Sequence, residues 1–128
     1  MTQSIRIDRG EATAQAVIAV PIVLLVLWLA VQMTVFLHGA NVASAAANEG
    51  AAAAARYGSS TGVGERVIER TLAALDSNST GSWSVRRTAG EAIATVSLSV
   101  PRIVPFFPKT VSRSARERLE VFLREADR

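Results

Sequence analysis

The chain has 128 residues, 49% apolar and 20% charged, with a formal net charge of +3 and no cysteine. That length holds one small domain plus one extra element, and the missing thiols exclude disulfides, thiol catalysis and cysteine metal sites. Only 5% of the residues are aromatic, which argues against a large aromatic-rich core. The basic residues are interleaved with acids, as in RSARERLEVFLREADR, so they read as a solvated surface and not as a nucleic-acid footprint.

The first element is apolar. No Asp, Glu, Lys or Arg occurs between Glu11 and Glu49, and Ala16–Leu37 reads AVIAVPIVLLVLWLAVQMTVFL. As a helix this run covers roughly 33 Å, against a hydrocarbon core of roughly 30 Å. A buried helix of a soluble protein rarely stays uncharged on every face for so long, so the segment reads as a membrane span. Arg6 and Arg9 lie before it, and no basic residue follows until Arg56. Positive charge stays cytoplasmic, which predicts the N-terminus inside and the remainder outside. Pro21 lies within the span, where it removes one N–H and disturbs the preceding turn. Gln15 is a lone amide in the alanine-rich approach.

Helical composition continues past the span. HGANVASAAANEGAAAAARYG, residues 38–58, is dominated by alanine, the best helix former. One helix is predicted from about Ala12 to about Arg56, with Pro21 and Gly39 as points where it can bend. Gly39, Ala43, Ala47, Ala51 and Ala55 recur every fourth residue. Such a ridge of small side chains lets another helix approach closely.

Residues 58–64, GSSTGVG, break the pattern and read as a linker. ERVIERTLAAL, residues 65–75, places Val67, Ile68, Leu72 and Leu75 at helical spacing with charges opposite, which predicts a short amphipathic helix. DSNSTGS is a loop, and the sequon at Asn78 within it is read as chance. WSVRR is a candidate strand. EAIATVSLSV alternates, with Ile93, Val96, Leu98 and Val100 taken as the apolar set and Thr95, Ser97 and Ser99 on the other face. TAG between these segments is a hairpin turn. PRIVPFFPK has three prolines and cannot be a central strand or a helix interior. It reads as a rigid extended loop with an apolar patch at Phe106 and Phe107. In the C-terminal segment Ala115, Leu119, Phe122, Leu123 and Ala126 make a helical stripe. Val111, Ala115, Leu119, Val121 and Leu123 fit one strand face less well, because Arg113 and Glu117 interrupt it. Periodicity alone favours the helix.

Nothing in the chain assembles into a recognisable catalytic set. His38 is the only histidine and falls where the span leaves the membrane. There is no HExxH and no metal-spaced cluster, and GVG at residues 62–64 lacks the Lys-Ser/Thr of a phosphate loop. No enzyme activity, cofactor or metal is expected.

RGEATAQAVIAVPIVLLVLWLAVQM resembles the N-terminus of TadE-like proteins, which are pseudopilins or minor pilins of tight-adherence (Flp) pilus systems. Members typically have a short basic leader ending in glycine, a glutamate five residues later and a proline eleven residues later inside an apolar helix. Gly10 and Pro21 have that spacing here. ANVASAAANEGAAAAA is similar to the family's small-residue continuation, and ATVSLSVP with its later prolines looks like its strand and proline-rich connection. The glutamate position holds Gln15, which can accept a hydrogen bond but carries no charge. In pilin-like families that glutamate meets the charged N-terminus of a neighbouring subunit in the apolar bundle, where a buried charge needs a partner.

The resemblance implies cleavage by a prepilin peptidase between Gly10 and Glu11, and an assembly contact at Gln15 and Pro21. It also implies packing with other pilin-like subunits and Tad-type components through the Gly39–Ala55 ridge. It further implies a terminal antiparallel sheet, favouring a strand over at least 110–116. The expected architecture is therefore α+β and pilin-like. A cytoplasmic leader (1–10) precedes a long helix (11–57) containing the span, then a linker (58–64) and a small extracytoplasmic α+β domain (65–128). The expected function is pilus or secretion-system assembly by helix packing in the cell membrane, with no nucleic-acid partner. Two alternatives stay open. One is a single-pass anchor for an envelope-binding domain. The other is a secreted protein with a signal peptide cleaved near VASAAA, residues 42–47.

Overall fold

The computed structural model describes residues 5–121. Helix α1 runs Ile5–Ala55, helix α2 Thr61–Leu75, and strands β1, β2 and β3 span Gly81–Arg87, Glu91–Ser99 and Thr110–Arg118. The strands form an antiparallel sheet in the order β1-β2-β3. The protein is therefore α+β, with a long N-terminal apolar helix, a short helix and a three-stranded antiparallel sheet.

Helix α1 continues through Pro21 and Gly39 and begins before Ala12. Its C-terminal half is the centre of the fold. Ala40, Ala43, Ala46, Ala47, Ala51 and Ala54 are buried, with the sheet on one flank and α2 on the other. The sheet meets this alanine surface with small residues of its own. Ala92, Ala94, Val96 and Leu98 of β2 point inward, as do Val85 of β1 and Val111 and Ala115 of β3. Small side chains on both layers let helix and sheet approach closely, and Ile68 and Leu72 of α2 complete the core.

The end of α1 is closed by the rest of the chain. The amide of Glu120 donates to the carbonyl of Ala55 (2.9 Å), and Ser59 Oγ to that of Ala53 (2.7 Å). These bonds satisfy two of the carbonyls that a helix terminus leaves without partners. Arg87 Nη1 donates to the Ser59 carbonyl, tying the β1 end to the same corner. Gly58, at φ +72°, makes the reversal that sends α2 back along α1.

The structure corrects three expectations. The linker 58–64 is shorter than composition suggests, because α2 starts at Thr61. Gly62 and Gly64 are poor helix formers, but Gly64 is buried against Gly50 and Ala54, and that packing overrides propensity. Ile93 leaves the apolar face of β2 and lies outward between Arg86 and Arg116, while Ala92 and Ala94 take the inward positions. A strand forms over 110–118 where periodicity favoured a helix, because β2 offers a free edge that Val111 and Ala115 can cover. That strand agrees with the sheet implied by the family resemblance. Phe122, Leu123 and Ala126, on which the helical stripe depended, lie outside the described residues.

The turn at 88–90 joins β1 and β2, closed by Thr88 N donating to Glu91 O (2.8 Å). The outer face of the sheet is a row of hydroxyls. Thr95 pairs with Ser114 (3.1 Å) and Ser97 donates to Ser112 (2.9 Å).

Candidate membrane and assembly site

The N-terminal half of α1 projects beyond the domain. Val17, Ile18, Ile22, Val23, Val26 and Leu27 are all more than half exposed, and almost none of the most apolar window is buried. A helix from Gly10 to Ala55 is long and apolar enough to cross a membrane. Apolar side chains bare on every side require either lipid or neighbouring helices as cover.

Gly10, Glu11 and Gln15 lie on this projecting segment and are exposed. A side chain built at Gly10 would meet nothing within 4 Å. Pro21 sits on the same rod, roughly 15 Å beyond Glu11 and roughly 9 Å beyond Gln15 along the axis. The structure thus leaves the proposed processing and contact residues accessible and brings none of them to the folded domain, apart from Pro21, which lines a groove described below.

The small-residue ridge has a different fate. Ala43, Ala47 and Ala51 are wholly buried, Ala55 nearly so, and Gly39 faces Val100 and Val111. These residues pack inside the chain's own domain. A close helix–helix approach does occur, but its partner is α2, through Gly50, Ala54 and Gly64. For a second subunit, this half of α1 leaves open the opposite face, where Asn41, Asn48 and Ala52 are exposed.

Gln32 is the residue that sequence reading passes over. It lies inside the apolar run, yet it is 0% exposed. Its Oε1 accepts from the amides of Ile103 (2.6 Å) and Val104 (3.1 Å), and its Nε2 donates to the Pro101 carbonyl (3.2 Å). The loop between β2 and β3 is held down on α1 by this one side chain. Phe36 and Phe107 add an edge-to-face contact at 5.7 Å between centroids, a favoured aromatic geometry. The signal in the sequence is a lone amide within a span, which membrane helices rarely carry without a partner.

His38 is exposed beside a shallow cleft with Asp76, Ser79 and Pro101. This cleft marks the underside of the domain, where α2 and β2 both end close to the last turn of the apolar run.

A single apolar helix carrying a small α+β domain on its far half is a pilin-like arrangement. Residues 10–52 match the family model for TadE-like protein, a match that starts at Gly10 and lies wholly within α1. The match supports the resemblance read from the N-terminal segment and points to a protein associated with Tad pili. No curated protein and no solved structure matches the chain.

Proposed function

We propose that the protein is a membrane pseudopilin or minor pilin that takes part in tight-adherence (Flp) pilus assembly or a related secretion system. A prepilin peptidase cuts between Gly10 and Glu11 on the cytoplasmic side. The apolar helix 11–37 then leaves the bilayer for a bundle of like helices, while the domain stays outside. The mechanism is packing and not catalysis. Gln15 supplies an amide contact where relatives use a charge, so this subunit joins the bundle without the cost of burying an unpaired carboxylate.

The observation that carries the reading is the division of α1. Its N-terminal half is apolar and uncovered, its C-terminal half is the core of the domain, and the TadE-like match spans the junction. The same division weighs against a secreted form. Cleavage near Ala46 would remove Ala40, Val42 and Ala43 from the core.

The test is the N-terminal mass of the mature protein recovered from membranes. A start at Glu11 is the expected result. An intact Met1 or Thr2 would leave a plain single-pass anchor, and a start near Ala46 would establish secretion; either overturns the proposal.

A further inference from the structure

We infer that the β2–β3 loop, residues 101–109, is a second membrane-inserting element, and that its groove against α1 holds a lipid acyl chain. The inference rests on α1 crossing the bilayer and goes beyond it.

The loop leaves the domain in the direction of the span. At its neck the amide of Val100 donates to the carbonyl of Lys109 (2.7 Å), and Val100 lies against Gly39, two residues past the end of the apolar run. From there the loop runs back along the helix. Ile103 and Val104 are held by Gln32, and Val104, Pro105 and Phe106 face Pro21, Leu24, Leu25, Trp28 and Leu29. Leu29 and Leu25 are about 12 and 18 Å inside Leu37 by helical rise. With α1 in a bilayer, the loop tip lies within the hydrocarbon of the leaflet on the domain's side.

Irregular backbone at that depth is tolerated only when its polar groups are satisfied. The loop meets this condition in part, chiefly where it lies against Gln32. Pro101, Pro105 and Pro108 have no N–H to satisfy. The amides of Ile103 and Val104 are taken by Gln32, and that of Phe107 by the carbonyl of Val104 (3.2 Å). Gln32, an amide within the span, in turn finds its partners in the loop.

The side chains agree. Phe106 is 96% exposed, and Ile103 is exposed beside it. An aromatic so bare on a rigid loop has no role in the domain's core. Arg102 and Lys109 stand exposed at the loop's two roots, where cationic side chains reach lipid phosphates. Between loop and helix lies a groove of about 580 Å³ whose eight lining residues are all apolar. One wall is the membrane span itself, so the medium that covers the span also fills the groove. For the subunit resident in the bilayer, before any bundle forms, that medium is lipid hydrocarbon.

The chain lacks cysteine, so single spin labels can be placed cleanly. The full chain is reconstituted in vesicles of phosphatidylethanolamine and phosphatidylglycerol, with labels at Phe106→Cys, Val23→Cys or Ser84→Cys. Accessibility to oxygen, which partitions into lipid, is compared with accessibility to a water-soluble nickel chelate. The Phe106 label is expected to match the Val23 label, with an oxygen-to-nickel ratio several-fold above that at Ser84. A Phe106 label that behaves like Ser84 while Val23 reads as lipid would overturn the inference and leave the span intact. A Phe106 label closed to both reagents would mean that another protein segment, such as a second copy's helix, fills the groove, and would overturn it too. An aqueous Val23 label would instead defeat the membrane-spanning reading on which the inference stands.

Discussion

The carbonyl oxygen of Gly50 occupies the space where a side chain on Gly64 would begin: a Cβ built there would stand 2.7 Å from it, and 3.0 Å from the Cβ of Ala54. The α1–α2 contact is thus set by backbone against backbone. Gly64→Ala cannot be relieved by turning a side chain, so the helices must part. The expected cost is about 1–3 kcal/mol, typical of an overpacked core, read as a lower thermal midpoint of the full chain in detergent. At Gly50 the obstacle is a side chain, since a Cβ there would press on Ile68 Cδ1 at 2.6 Å. Trimming Ile68 should therefore recover part of the loss from Gly50→Ala, and none of the loss from Gly64→Ala.

Much of this architecture is legible in the sequence where one local signal dominates. The apolar run ending at Leu37 announces the span, and the alternation around Val96 and Leu98 announces β2. Legibility fails where a tertiary contact outweighs the local pattern. Two glycines in residues 61–64 look like a linker, and only the presence of Gly50 opposite makes them helix. Ala115 fits both a helical stripe and a strand face, periodicity favours the helix, and the free edge of β2 decides for the strand. The alanine ridge is visible, but a small side chain does not say whether its neighbour comes from the same chain. Gln32 was equally visible as a residue. Its partners lie about seventy positions away, in a loop whose fold-back no local pattern encodes.

Gln32→Leu should release the loop without unfolding the sheet. Leucine nearly conserves volume but leaves the amides of Ile103 and Val104 without an acceptor. Each orphaned donor costs about 1–3 kcal/mol when buried. Hydrogen exchange read residue by residue should show faster exchange at Ile103 and Val104, with the amides of Val96 and Leu98 unchanged. Uniform acceleration across β2 would mean that Gln32 supports the whole domain and not the loop alone.

Arg116→Ala should be nearly silent. Its guanidinium lies 3.9 Å from Glu91, and the two side chains are 70% and 38% exposed. An ion pair so open to water contributes at most about 0.5–1 kcal/mol. The thermal midpoint should hardly move, and adding salt to the unsubstituted protein should change it as little. A large drop would show that the arginine's packing across the outer face beside Ile93 matters more than its charge.

Processing and assembly should separate by position. Position 10 is exposed and touches nothing, so Gly10→Val should leave the domain's melting unchanged while full-length protein accumulates in the membrane. Gln15→Glu introduces the glutamate typical of TadE-like proteins at this position. It should leave processing at Glu11 intact and increase the fraction of subunits that crosslink to a pilin-like neighbour. Loss of crosslinking in that variant would mean that the amide is matched to a partner lacking the complementary charge.

The two faces of α1 beyond the membrane offer the sharpest contrast. Ala47 is wholly buried in the domain, whereas Ala52, on the opposite side with Asn41 and Asn48, is exposed. Ala47→Leu forces three extra carbons into the domain core, a cost of about 1–3 kcal/mol or more, and should lower the melting temperature of the isolated subunit. Ala52→Leu adds the same atoms to open surface, where substitutions usually stay within about 0.5 kcal/mol. Its fold should be unaffected. If neighbouring helices approach α1 outside the bilayer, they come to this second face, because the first is already filled by β2, β3 and α2. Ala52→Leu should then reduce crosslinking between subunits while leaving melting unchanged. Normal crosslinking in Ala52→Leu would confine subunit contacts to the apolar segment before Gly39.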